Sequence, residues 1–121
     1  MPPTARVLIV DHSCESRDLL RSLLVRGGAE VLEARETAHG LQLTAAERPD
    51  LIVIDAEGTN DAEDDSTARL AAAAARNDVP IVVLGTFRRR ASAFPTAQFV
   101  AKPYHYAALI RRIEGLLGNR A

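Results

Sequence analysis

Five short apolar runs alternate with amphipathic stretches along this 121-residue chain. The runs are rich in Val, Ile and Leu and are bounded by turn residues, a pattern typical of parallel strands buried on both faces. They cover residues 6–10, 29–34, 51–54, 79–84 and 98–101. Strands that alternate with helices in this way predict an α/β fold, with a doubly wound parallel sheet, helices on both faces and right-handed connections.

The stretches between the runs carry apolar residues three and four positions apart, as on a helix with one buried face. Ser13 is a candidate cap for a first helix that ends near Arg26, before two glycines. Further helices are predicted over about 37–48, 67–76 and 104–117. The predicted buried positions are Leu19, Leu20, Leu23 and Leu24 in the first helix, Ala38, Leu41 and Ala45 in the second, and Tyr106, Leu109, Ile110, Ile113, Leu116 and Leu117 in the last.

Composition and charge narrow the class of protein. Fifteen basic and 16 acidic residues give a net charge of −1, which argues against a chain that binds nucleic acid or a membrane over much of its surface. A single cysteine allows no internal disulfide, which fits a reducing compartment. No apolar stretch approaches the roughly 20 residues of a membrane span, and the start of the chain lacks a signal-peptide pattern. We therefore expect a cytoplasmic protein with one domain over residues 1–121.

Three charged residues stand directly after predicted strands: Asp11 after the first, Asp55 after the third and Lys102 after the fifth. In a sheet of order 2-1-3-4-5 the first and third strands are neighbours at the ligand-binding crevice, so the two carboxylates come close together. Two like charges this close are unfavourable unless a cation lies between them. Mg²⁺ suits this place because it binds carboxylates together with phosphate oxygens. A carboxylate nucleophile, a metal ion and a lysine are the groups needed to form an aspartyl phosphate.

Four sequence blocks, in this order, resemble the receiver domains of two-component response regulators over essentially the whole chain. They are VLIVD at 7–11, PDLIVID at 49–55, VPIVVL at 79–84 and AKPY at 101–104. The resemblance implies a flavodoxin-like sheet of order 2-1-3-4-5 in a signalling module that catalyses at most its own phosphorylation and dephosphorylation. It implies that Asp55 accepts a phosphoryl group from a histidine kinase or phosphotransfer protein and that Lys102 contacts that group. Mg²⁺ would be held by Asp11, Asp55 and the backbone carbonyl of Glu57.

The chain departs from the family's pattern in four places. His12 stands where the family has a second acid, and neutral imidazole is a poor Mg²⁺ ligand, so Mg²⁺ affinity is expected to fall or the metal choice to change. Gly85 replaces a Ser or Thr that donates to the phosphoryl group. Thr86 follows one residue later and is expected to substitute only if the backbone bulges at Gly85. The segment 57–65 is acidic and lacks the usual hydrophobic-Pro-Gly loop. The segment before Lys102 is short, so the family's fourth helix is expected to be shortened or absent.

These departures leave other functions open. The same fold could serve as a pseudo-receiver, a protein–protein interaction module that works without phosphorylation. Asp11, His12 and Asp55 could instead bind a transition metal such as zinc or nickel. The acidic segment 57–65 could pair with the arginines at 88–90 as a latch over the site, although a solvated loop is the simpler interpretation. The sequence predicts neither the downstream effector nor the oligomeric state.

Overall fold

A single five-stranded parallel sheet of order β2-β1-β3-β4-β5 forms the centre of the computed structural model, which describes residues 4–56, 65–86, 94 and 97–118. The strands are β1 Arg6–Val10, β2 Glu30–Ala34, β3 Leu51–Asp55, β4 Ile81–Gly85 and β5 Gln98–Ala101. The described helices are α1 Cys14–Arg26, α2 Thr37–Glu47, α3 Ser66–Arg76 and α4 Tyr106–Gly118. The predicted fold class and strand order are therefore confirmed.

The central strands β1 and β3 are buried because helices cover both faces of the sheet. On one face Val7, Ile9 and Val53 pack against Leu20 and Leu24 of α1 and Leu109 and Ile113 of α4. On the other face Leu8, Val10, Ile52 and Ile54 pack against Leu70 and Ala74 of α3. Alternate residues of each strand thus enter opposite clusters, as the two-residue period of a strand requires. The carboxyl ends of β1 and β3 are consequently held by packing on both sides.

The buried faces of two helices differ from the prediction. In α1, Leu20 and Leu24 are buried, whereas Leu19 is exposed because its position lies about 100° around the helix from the line that meets the sheet. In α2, Ala38 and Ala45 are exposed.

The sheet-facing residues of α2 are Thr37, Gly40 and Thr44. A Cβ on Gly40 would lie 2.8 Å from Cγ2 of Val10, so only glycine lets the helix approach β1 this closely. Thr44 Oγ1 donates to the carbonyl of Gly40 at 2.8 Å, which satisfies its buried hydroxyl. Apolar periodicity could not identify this face, because its buried residues are a glycine and two threonines.

The fourth strand begins and ends later than predicted, at Ile81 and Gly85. Its pairing with β5 is regular through Gly85 opposite Ala101, so the bulge that was the condition for Thr86 to replace the missing hydroxyl is absent from this strand. The predicted loss of a fourth helix and the proposed latch fall on residues 57–64 and 87–96, of which only Phe94 is described. Phe94 is buried in the cluster beside α3. In the described part of the chain, no helix has the length and apolarity to cross a membrane.

Candidate functional site

The strands β1 and β3 end side by side at the carboxyl edge of the sheet. Val10 is paired with Ile54, and the residues that follow them are Asp11 and Asp55. Both carboxylates are nearly buried, with 6% and 8% of the residue exposed. Two acids in this position need compensation from nearby donors or cations. The structure thus brings together the two carboxylates that the sequence placed after separate strands.

Asp11 is fixed by hydrogen bonds from three directions. Its N–H donates to the carbonyl of Ala34 at 3.0 Å, and its Oδ1 accepts from the N–H of Ser13 at 2.8 Å. Its main-chain carbonyl accepts from Arg17 Nη1 at 2.7 Å. Burial raises the pKa of the Asp11 carboxyl, and the negative charge of Asp55 raises it further, against the lowering effect of the Ser13 N–H, Lys102 and Arg17. The folded protein therefore holds an acid whose charge is disfavoured, which a bound cation would relieve.

Lys102 crosses from the end of β5 to the carboxylate of Asp55. Its Nζ lies 2.8 Å from Asp55 Oδ2, and its side chain is 31% exposed, against 10% for that of Asp55. The main-chain N–H of Lys102 donates to the carbonyl of Gly85, which anchors its backbone to β4. The ammonium is thus held at the acidic edge by the sheet, while the Lys102 side chain remains partly accessible to solvent.

The other predicted site residues have different surroundings. Thr86 follows β4 at this same edge and is exposed. His12 is exposed beside the buried Asp11. Glu57, whose carbonyl was predicted as a metal ligand, lies outside the described residues. Cys14, in the first turn of α1, is exposed, and its Sγ lies 3.7 Å from a carboxylate oxygen of Asp18.

Three residues at the site were not singled out for it from the sequence: Ser13, Arg17 and Tyr104. Ser13 combines two functions, since its hydroxyl caps α1 by accepting from the N–H of Ser16 while its own N–H reaches Asp11. Tyr104 packs edge-on against Tyr106, with ring centroids 5.4 Å apart. Burial raises the pKa of the Tyr104 hydroxyl, as do Tyr106 and the charge of Asp55, so the hydroxyl remains protonated. The sequence signal for Arg17 was its position, six residues after Asp11 and about one helical turn beyond the cap Ser13.

Asp11 and Asp55 are suited to a hard divalent cation. Carboxylate oxygens are ligands that Mg²⁺ prefers, and burial, together with the charge of Asp55, raises the pKa of Asp11, so a bound cation would favour its charged form. Within residues 4–56, 65–86, 94 and 97–118, no three His, Cys, Asp or Glu side chains are grouped as a ready metal site.

Comparison with known proteins gives a consistent picture, although no protein-family model matches the chain. The chain is 39% identical over 108 residues to protein-glutamate methylesterase/protein-glutamine glutaminase 6 of Anaeromyxobacter dehalogenans, a match covering 83% of this chain and 30% of that protein. It is 27% identical over 125 residues to protein PilH of Pseudomonas aeruginosa, covering 95% and 99%. The receiver domain of the Francisella response regulator 1452 superposes with a TM-score of 0.78 at 18% identity, covering 97% and 99%.

Fold, site and similarity define a class of protein: a five-stranded α/β domain with an acidic pair and a lysine at its carboxyl edge. The chain is a receiver domain of the response-regulator type, which confirms the resemblance seen in the sequence. It spans about 30% of the length of the methylesterase that it matches and nearly the whole length of PilH.

Proposed function

We propose that this receiver domain accepts a phosphoryl group on Asp55 from a histidine kinase or phosphotransfer protein. The observation that carries the proposal is the contact of 2.8 Å between Lys102 Nζ and Asp55 Oδ2 beside the buried Asp11. A buried nucleophile, a second acid and an accessible cation then meet at one edge of the sheet. Neither a capping role nor a solvated loop accounts for that combination.

In the proposed reaction, a carboxylate oxygen of Asp55 attacks the phosphorus of a phosphohistidine on the donor protein. The new P–O bond forms as the P–N bond breaks, and the departing imidazole keeps the electron pair and takes up a proton. Lys102 then pairs with a phosphoryl oxygen, where it stabilises the added negative charge. The domain is a signalling module, and the most that it catalyses is its own phosphorylation and dephosphorylation.

Asp11 and Asp55 would hold Mg²⁺, with the carbonyl of Glu57 as the predicted third protein ligand. When bound, the ion would neutralise part of the negative charge of the two carboxylates and of the phosphoryl group. His12 adds no negative charge at this edge, so we expect Mg²⁺ to bind weakly.

The experiment is mass spectrometry of the intact chain after incubation with acetyl phosphate and Mg²⁺. We expect one phosphoryl adduct, placed on Asp55 by peptide mapping, which is lost in Asp55→Asn and when the metal is chelated. The matched control is Asp50→Asn, which alters a carboxylate at the opposite end of β3, where Asp50 Oδ2 accepts from the Arg6 N–H. An unlabelled parent chain, under conditions that label another receiver, would overturn the proposal.

The second candidate function is a pseudo-receiver that binds a partner protein without phosphorylation. Two observations favour it: His12 is exposed where the family has an acid, and Gly85 ends β4 without a hydroxyl. A Mg²⁺ titration followed by NMR separates the two functions. Shifts of the Asp11 and Asp55 amide signals at millimolar Mg²⁺ support the phosphoacceptor, whereas unchanged signals together with an unlabelled Asp55 support the pseudo-receiver.

A further inference from the structure

An arginine on α1 connects the acidic edge to the outermost strand of the sheet. Arg17 Nη1 donates to the main-chain carbonyl of Asp11 at 2.7 Å, and Arg17 Nε lies 3.4 Å from Oε1 of Glu33 on β2. The Arg17 side chain is only 16% exposed, so this arrangement is built into the fold. We propose that Arg17 is a positioning residue that holds Asp11 in its cation-binding place and that Glu33 orients the guanidinium. The inference rests on the proposed function of the site.

The shape of the guanidinium explains why an arginine is needed. Its planar fork presents donors on different edges, so one side chain reaches Asp11 at the end of β1 and Glu33 near the end of β2 at once. Asp11 is otherwise anchored by its N–H to Ala34 and by its Oδ1 to Ser13. Without Arg17, the carbonyl of this nearly buried residue would lose a charged donor, and the turn that carries the carboxylate would be free to shift.

Glu33 also binds a second arginine, and this provides an internal control. Its Oε2 lies 3.3 Å from Arg21 Nε, one turn further along α1. The Arg21 side chain is 45% exposed, and its described contact is to Glu33. Substitution of Arg21 therefore removes a positive charge that lies beside the same Glu33 carboxylate, without removing a donor to Asp11.

A positioning role and a purely electrostatic role of Arg17 predict opposite changes in Mg²⁺ affinity when Arg17 is removed. The positive charge of Arg17 near Asp11 opposes a cation, so its removal would tighten Mg²⁺ binding if charge were its only contribution. Loss of a residue that positions a metal ligand instead weakens metal binding, commonly by tenfold or more. The direction of change therefore decides between the two roles.

The test is a Mg²⁺ titration of the whole chain by NMR, with the parent, Arg17→Ala, Arg17→Lys and Arg21→Ala. We expect the Mg²⁺ dissociation constant to rise about tenfold in Arg17→Ala and to recover in part in Arg17→Lys, which keeps a donor but not the fork. Arg21→Ala should leave it unchanged or slightly lower. Mg²⁺ binding by Arg17→Ala that is as tight as in the parent would overturn the proposal.

Amide hydrogen exchange without Mg²⁺ keeps this test separate from the proposed function. The N–H of Asp11 donates to Ala34, and the N–H of Ile52, which donates to Pro80, serves as a reference within the sheet. We expect Arg17→Ala to speed exchange at Asp11 about tenfold relative to Ile52, because only the local turn is loosened. Equal acceleration at both amides would mean general destabilisation and would overturn the positioning role. If the parent chain neither binds Mg²⁺ nor accepts a phosphoryl group, only the proposed function is refuted. The ratio of the exchange rates at Asp11 and Ile52 still decides the role of Arg17.

Discussion

Replacement of Lys102 by methionine tests the charge balance on which the site depends. Methionine keeps the length of the apolar stem of lysine but removes the ammonium that lies 2.8 Å from Asp55 Oδ2. Asp55 is then left with a nearly buried charge beside Asp11, whose own carboxylate already disfavours ionisation. The variant should therefore be less stable than the parent, and its site should attract cations more strongly.

The size of the effect follows from the exposure of the two partners. Removal of one partner from a fully buried ion pair costs about 3–5 kcal/mol, whereas an exposed pair contributes about 0.2–1 kcal/mol. Asp55 is 10% exposed at its side chain and Lys102 is 31% exposed, so solvent screens the pair in part. We expect Lys102→Met to lower the free energy of unfolding by about 2 kcal/mol.

Urea denaturation with and without Mg²⁺ provides the assay. Asp55→Asn should cost less than Lys102→Met, because it removes the carboxylate charge with which Lys102 pairs, and the double variant should resemble Asp55→Asn. Mg²⁺ should restore stability to Lys102→Met, although the phosphoryl adduct should form more slowly without the lysine. Arg69→Met, which breaks an exposed pair with Asp65 on α3, is the matched control and should change stability by less than about 0.5 kcal/mol.

Two results would refute this reasoning. A Lys102→Met variant as stable as the parent would show that Asp55 does not depend on Lys102 for compensation of its charge. An unchanged Mg²⁺ affinity in the same variant would show that Lys102 and a cation do not compete for the acidic edge.

Three further predictions concern neighbouring residues. Gly40→Ala should destabilise the fold by about 1–2 kcal/mol in urea denaturation, because overpacking against the stiff side chain of Val10 outweighs the gain in helix propensity. Adding Val10→Ala to this variant should recover part of the lost stability. A Gly40→Ala variant more stable than the parent would contradict the close contact. Asp11→Asn should be more stable than the parent at neutral pH. Because the pKa of Asp11 is raised in the folded state, its contribution to stability is fully present below its ordinary pKa of 3.8 and is lost as the pH rises through the pKa of the folded protein. The two proteins should converge below about pH 3, and a constant difference across pH would count against the charge argument. His12→Asp should tighten Mg²⁺ binding in the NMR titration, since it adds a carboxylate beside Asp11; equal binding by His12→Asn and His12→Asp would exclude a charge effect.

The limits of sequence-based prediction are clearest in α2 and β4. Periodicity favoured Ala38 and Ala45 as buried residues, but the sheet-facing side of α2 is lined by Gly40 and Thr44. A glycine there is needed because Val10 occupies the space of a side chain, and that neighbour comes from β1, 30 positions earlier along the chain. At β4, the sequence predicted that the strand ends at Leu84 and left open whether the backbone bulges at Gly85, whereas regular pairing with β5 carries the strand through Gly85. In both places a partner distant in sequence decided the outcome.

The sequence by itself determined the alternation of strands and helices, the buried character of β1 and β3, and the presence of Asp11, Asp55 and Lys102 at strand ends. It could do so because continuous apolar runs that alternate with amphipathic stretches favour a parallel sheet buried on both faces, whereas the strand order was implied by the resemblance to receiver domains. The tertiary structure alone decided how those charges compensate one another: Lys102 Nζ on Asp55, the Ser13 N–H on Asp11, and the raised pKa of Asp11. It also brought Arg17 to the carbonyl of Asp11, with Glu33 beside it. These contacts join residues from separate elements, and their energies depend on burial and on distances of a few ångströms that no linear pattern encodes.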